Sequence, residues 1–133
     1  MFGIIIVGHR NLPEVLFEII NDMTSNNDNF DFLNVFPDDE PDKIKEQLTK
    51  KVNKMKSKYK NILILTDMFG GTPSNLALTF LEKDKIEVIT GVNLPMILKL
   101  RLCEKELTFN DFVRFIKDYG KRNICVASEL LGC

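Results

Sequence analysis

Phe2-Gly3-Ile4-Ile5-Ile6-Val7-Gly8-His9-Arg10-Asn11 stands near the start of the chain, and Asn61-Ile62-Leu63-Ile64-Leu65-Thr66-Asp67 restates its design near the middle. Both runs are solidly aliphatic, without polar alternation. Strands have this composition when both faces of a parallel sheet are covered. The first predicts a strand over Phe2–Val7, the second a strand over Asn61–Thr66. Laid side by side in parallel, they bring the only histidine, His9, to one sheet edge with Asp67. The turn Gly70-Gly71-Thr72-Pro73 lies beside them.

The rest of the chain fits around that pair. Asn11 and Glu14 have capping-box spacing, and Pro13 suits a first helical turn. Leu12, Val15, Leu16, Ile19, Ile20 and Met23 then repeat at helical spacing. A polar loop over 24–29 leads to a strand over Phe30–Phe36. Asp42 caps a helix reaching about Lys58, with Ile44, Leu48, Val52 and Met55 on its inner face. Its lysine-rich outer face reads as a solvated surface. Thr72 caps a helix that has Pro73 at its first position and ends near Glu82. A strand over Ile86–Thr90, the turn Gly91-Val92-Asn93 and a helix over Leu94–Leu102 follow. Thr108 caps a last helix over Phe109–Tyr119, with Phe112, Val113, Phe115, Ile116 and Tyr119 on its apolar side and Gly120 as its stop. Asn123–Ala127 reads as a final strand. Strand and helix alternate throughout, so the expected fold is an α/β sandwich of one domain, residues 1–133, with a mainly parallel sheet.

Composition narrows the function classes. At 133 residues the chain can bury a real core. A net charge of −1 does not suggest a nucleic-acid partner. No run nears the roughly 18 apolar residues of a membrane helix, and the short first run lacks the basic start of a signal segment. Cys103, Cys125 and Cys133 form no C-x-x-C pair and read as reduced thiols of a cytosolic protein. One histidine and scattered cysteines do not suggest a metal site. There is no G-x-G-x-x-G, no G-x-x-x-x-G-K-[ST] and no G-x-S-x-G, which disfavours nucleotide-dependent kinases and serine hydrolases.

In open α/β sheets ligands bind beyond the carboxyl ends of the strands, where strand order reverses. With order 2-1-3-4 that point lies between the first and third strands. His9, Asp67 and Asn93 all follow or end strands at that mouth. His9 and Asp67 each have a plainer reading alone: a structural or surface histidine and a turn carboxylate. Gly70-Gly71 serves equally as a tight turn, and Thr72-Pro73 as a bare helix start. Together they place backbone N–H groups and the Thr72 hydroxyl near an imidazole that Asp67 can hold in one tautomer. Such an arrangement suits a phosphohistidine.

Three segments carry a family resemblance: the first strand ending in Gly8-His9, the block Thr66-Asp67-Met68-Phe69-Gly70-Gly71-Thr72-Pro73-Ser74-Asn75, and Gly91-Val92-Asn93-Leu94-Pro95-Met96. They resemble the mannose-family enzyme IIA of the bacterial phosphoenolpyruvate-dependent sugar phosphotransferase system, over nearly the whole chain. The resemblance implies a three-layer sandwich with a parallel core of order 2-1-3-4. It also implies a homodimer that exchanges an antiparallel C-terminal strand, here within Asn123–Leu131. It makes His9 the phosphoryl acceptor and Asp67 the carboxylate that orients it. Gly70, Gly71, Thr72 and Ser74 would line the phosphoryl group, and Arg10 and Asn93 are candidate accessory residues.

The activity implied is that of a cytoplasmic phosphotransferase with a phosphohistidine intermediate and no cofactor or metal. The donor would be the phosphocarrier HPr and the acceptor a histidine of a IIB component on another polypeptide. Membrane IIC and IID subunits, reached through IIB, would take up the sugar. Arg10 stands where the family usually has glycine; it would contact the phosphoryl group, crowd the partner or point away. Two other functions fit the same residues. One is the phosphocarrier subunit of a dihydroxyacetone kinase, and the other is a regulatory module switched by His9 phosphorylation.

Overall fold

The computed structural model describes residues 1–103 and 106–132. Strands β1 (Gly3–His9), β2 (Phe30–Val35), β3 (Ile62–Thr66) and β4 (Ile86–Thr90) alternate with helices α1 (Leu12–Met23), α2 (Pro41–Lys56), α3 (Thr72–Leu78) and α4 (Leu94–Leu102). Helices α5 (Phe109–Arg122) and α6 (Ala127–Leu131) follow. The strands form one parallel sheet of order β2-β1-β3-β4, as expected.

The unbroken aliphatic runs have two cores to fill. Ile4 and Ile6 of β1 and Leu63 and Leu65 of β3 face Ile20 of α1, Ile97 of α4 and Ile116 of α5. Ile5, Val7, Ile62 and Ile64 face Ile44, Leu48, Val52 and Met55 of α2 and Ala77 of α3. Successive strand residues point to opposite faces, so Ile4–Val7 and Ile62–Leu65 fill both cores in alternation. Each fully buried aliphatic side chain contributes about 1.5–3 kcal/mol. Among the described residues no helix is long and apolar enough to cross a membrane.

Several local expectations are corrected. β1 continues to His9, which pairs with Val35, because the Arg10 N–H donates to the Val35 carbonyl at 2.8 Å. Asn11 precedes α1 without a side-chain cap; the Glu14 N–H finds Asn34 Oδ1 on β2 instead. Glu40 rather than Asp42 precedes α2, since Pro41 takes the first helical position. Gly71 rather than Thr72 precedes α3, which ends at Leu78, short of Glu82. In α1 only Pro13, Leu16 and Ile20 are buried, and Leu12, Val15 and Met23 stay exposed. Thr108 caps α5 as read, accepting from the Asp111 N–H, and Asn93, expected only in a turn, caps α4 by accepting from the Met96 N–H.

The C-terminal region departs most. Gly120 does not end α5; it lies inside the helix, where a Cβ would meet Met96 Cγ and Sδ at 2.5 Å. Its glycine serves close approach to α4. The strand expected over 123–127 is absent, and α6 follows α5 instead. Among the described residues this segment has no strand beside it, and its N–H groups bond locally, Ile124 to Lys121 and Leu130 to Val126. Hydrophobic content does not make a strand where the ladder partner is missing. Cys103 is half-buried and Cys125 exposed, both free, while Cys133 lies outside the described residues.

Candidate active site

β1 and β3 are hydrogen-bonded neighbours, with Val7 opposite Thr66. Their next residues therefore leave the sheet side by side. The His9 ring Nδ1 lies 2.8 Å from Asp67 Oδ2, and the His9 backbone N–H donates to the same oxygen at 2.9 Å. The other oxygen, Oδ1, accepts the Met68 N–H at 3.0 Å. Both carboxylate oxygens are thus fixed. An ionised carboxylate only accepts, so Nδ1 carries the proton and Nε2 presents a lone pair.

Burial pushes the Asp67 carboxyl up. The hydrogen bonds from the His9 backbone and ring, together with the ring's coulombic attraction when it is protonated, outweigh that and hold it below its ordinary value of 3.8. The carboxylate is 13% exposed and the imidazole 47%. The acid is sheltered while the ring reaches solvent.

Two glycines shape this contact. A Cβ on Gly8 would lie 3.1 Å from Asp67 Cγ and Oδ2. A Cβ on Gly71 would lie 2.8 Å from His9 Cε1 and 3.2 Å from Nε2. The Gly71 backbone therefore runs directly beside the nucleophilic edge of the ring. Gly70 makes this turn with φ +91, a left-handed value that favours glycine.

The remaining expected residues separate. Thr72 is exposed on the first turn of α3. Ser74 is fully buried, and its Oγ, like Thr66 Oγ1, has no hydrogen-bond partner among the described residues. Asn93 is committed at both ends: Oδ1 accepts from the Met96 N–H at 3.1 Å and Nδ2 donates to the Gly120 carbonyl at 3.0 Å. Arg10 is exposed and adopts φ 54, strained for a residue with a side chain.

Sequence reasoning missed the steric part of Gly8. It also missed the exposed apolar residues at this mouth: Met68 and Phe69 after β3, Leu12 at the start of α1 and Phe36 after β2. Phe69 was detectable, since an aromatic residue inside a glycine turn has no core to enter.

The chain belongs to the EIIA-man family: the family model described as "PTS system fructose IIA component" matches residues 3–117. It is 27% identical over 132 residues to the PTS system fructose-specific EIIA component of Bacillus subtilis, covering 98% of this chain and 90% of that protein. It is 24% identical over 124 residues to the PTS system mannose-specific EIIAB component of Escherichia coli, covering 92% of this chain but only 38% of that protein. The crystal structure of phosphotransferase system component EIIA from Streptococcus agalactiae superposes with TM-score 0.83 at 26% identity, covering 97% of this chain and 99% of that one.

Proposed function

We propose that this chain is a phosphocarrier that accepts a phosphoryl group on His9 Nε2 from phospho-HPr and passes it to a histidine of a IIB component. The observation that carries this reading is the 2.8 Å contact of Nδ1 with Asp67 Oδ2 on a ring whose other edge is open. The Nε2 lone pair forms the new N–P bond while the N–P bond to the donor imidazole breaks. The proton on Nδ1 stays in place, and Asp67 offsets the positive charge the ring acquires. Onward transfer reverses these roles toward the acceptor. The Gly71 backbone beside Nε2 leaves room for the group, Gly70 turns the loop around it, and Thr72 offers a hydroxyl. Ser74, buried behind the loop, supports the turn from inside rather than facing solvent.

Met68, Phe69, Leu12 and Phe36 give the protein partners an apolar surface around the imidazole. The curated relatives are named for fructose, mannose and sorbose, which supports a sugar of that class. The chain works as a homodimer in the cytoplasm and meets the membrane subunits through IIB. The apolar Ile124, Val126 and Leu130, all more than half exposed, support a second copy covering the C-terminal segment.

The test is reconstitution. With phosphoenolpyruvate, enzyme I and HPr, the protein should acquire an acid-labile, base-stable phosphoryl group that maps to His9. A folded His9→Ala variant should acquire none. Normal labelling of that variant would end the assignment.

A further inference from the structure

Charge is segregated along this chain. No lysine or arginine occurs between Arg10 and Lys43, and no aspartate or glutamate between Glu46 and Asp67. The second stretch contains Lys50, Lys51, Lys54, Lys56, Lys58 and Lys60. Lys50 and Lys51 have nearby partners in Glu46 and Asp31. The next four lie at the C-terminal end of α2 and in the turn into β3, all exposed.

The fold adds to this cluster. The Ile62 N–H donates to the Lys85 carbonyl, and the Glu82 N–H donates to the Ile86 carbonyl, which folds the turn 82–86 against the start of β3. Lys83 and Lys85, both exposed, thereby join the same corner. Lys56, Tyr59, Lys60, Lys85 and Glu82 line a depression of about 220 Å³ there. Glu82 is held by Lys56 at 3.3 Å and by Lys85 at 2.9 Å, and Asp84 accepts from Asn110. Six lysines thus face two carboxylates. Lysines in a last helical turn complement the helix dipole, but that effect fades within the turn and reaches only Lys54 and Lys56. It leaves Lys58, Lys60 and Lys83 unaccounted for, Lys85 being paired with Glu82.

We propose that this corner docks on the anionic headgroups of a lipid bilayer. Every cation in it is lysine, a hydrated point charge suited to a diffuse negative surface, rather than arginine, whose fork suits a defined phosphate. Half-buried Tyr59 and exposed Leu81 border it. Such residues suit the level of the headgroups. Tyr59 is the one aromatic ring lining the depression, too few to offer a run of bases a stacking platform. The corner lies at the amino ends of the strands and His9 at the carboxyl end of β1. Seven residues of β1 at about 3.3 Å each set the two roughly 20 Å apart. Docking therefore leaves the imidazole open to carriers. This contact goes beyond phosphoryl transfer and does not depend on it.

The test is sedimentation of the whole chain with vesicles of phosphatidylglycerol and phosphatidylcholine in roughly equal parts, and with phosphatidylcholine alone. Binding is expected only to the anionic vesicles and should weaken as salt rises. Lys54→Gln, Lys58→Gln and Lys60→Gln together should cost about fivefold per lysine, about a hundredfold in all, without changing phosphorylation of His9. Lys43→Gln, Lys117→Gln and Lys121→Gln together, which remove the same charge elsewhere, should cost far less. Equal binding to both vesicles, equal loss in the two triple variants, or equal affinity for a single-stranded oligonucleotide would each overturn the proposal.

Discussion

One oxygen of Asp67, Oδ2, receives both the backbone N–H and the ring Nδ1 of His9, at 2.9 and 2.8 Å. The double contact holds the histidine at one point on its backbone and one on its ring, and the ring contact sets the tautomer.

Replacing Asp67 with Asn keeps the size and removes the charge. The carboxamide introduced there could offer its nitrogen as readily as its oxygen, so the tautomer is no longer dictated. Phosphorylation should slow by about 100-fold or more, in line with other acid-oriented histidines. The rate of phosphohistidine formation from phospho-HPr measures this, and an unchanged rate would show that Asp67 does not orient the ring.

The same carboxylate couples stability to pH. Its folded pKa lies below the ordinary 3.8. The stability it contributes is therefore present above the unfolded value and lost as pH falls through the folded one. Urea unfolding should show a gap between the wild type and Asp67→Asn that is constant near neutral pH and narrows below about pH 4. A gap that persists unchanged at lower pH would contradict the shift.

Gly71→Ala tests the seat beside Nε2. Its backbone, φ −91 and ψ 170, is open to alanine, so the added methyl acts through contact with the ring. The ring is half exposed and can swing away, which keeps the stability change within about 1 kcal/mol. Phosphorylation should drop at least tenfold while binding of HPr is retained. Full activity would mean that the phosphoryl group approaches from another side.

Gly120→Ala separates helix propensity from packing. In an open helix the change would stabilise by about 1 kcal/mol. Here the methyl meets Met96, itself 3% exposed, and overpacking should destabilise by about 1–3 kcal/mol. Adding Met96→Ala should make the Gly120→Ala change less costly in thermal unfolding. A single variant more stable than the wild type would refute the close approach.

Legibility in the sequence followed how local the signal was. β4, α4 and the cap at Thr108 were readable because each is marked by residues close together in the sequence, whereas the cap at Asn93 emerged only from the structure. The buried face of α2 was readable because its spacing is regular. Asn11 misled, since the Glu14 N–H it was expected to serve bonds to Asn34, distant in sequence. Gly120 misled because a glycine after a periodic run reads as a stop until the facing helix is known. The 123–127 segment misled because apolar residues signal burial without saying which chain supplies the cover.

The sequence by itself pointed to the parallel sheet, since unbroken aliphatic runs such as Ile4–Val7 and Ile62–Leu65 alternate with helical patterns, as strands covered on both faces do. It also placed His9 and Asp67 at the carboxyl ends of two such strands. Tertiary structure alone decided that those strands are neighbours in register, that a single oxygen takes both histidine donors, and that Gly8 and Gly71 clear the space around the pair. The reason is physical: periodicity records which face of an element is buried, whereas an ångström-scale contact between residues 58 positions apart depends on how whole elements pack.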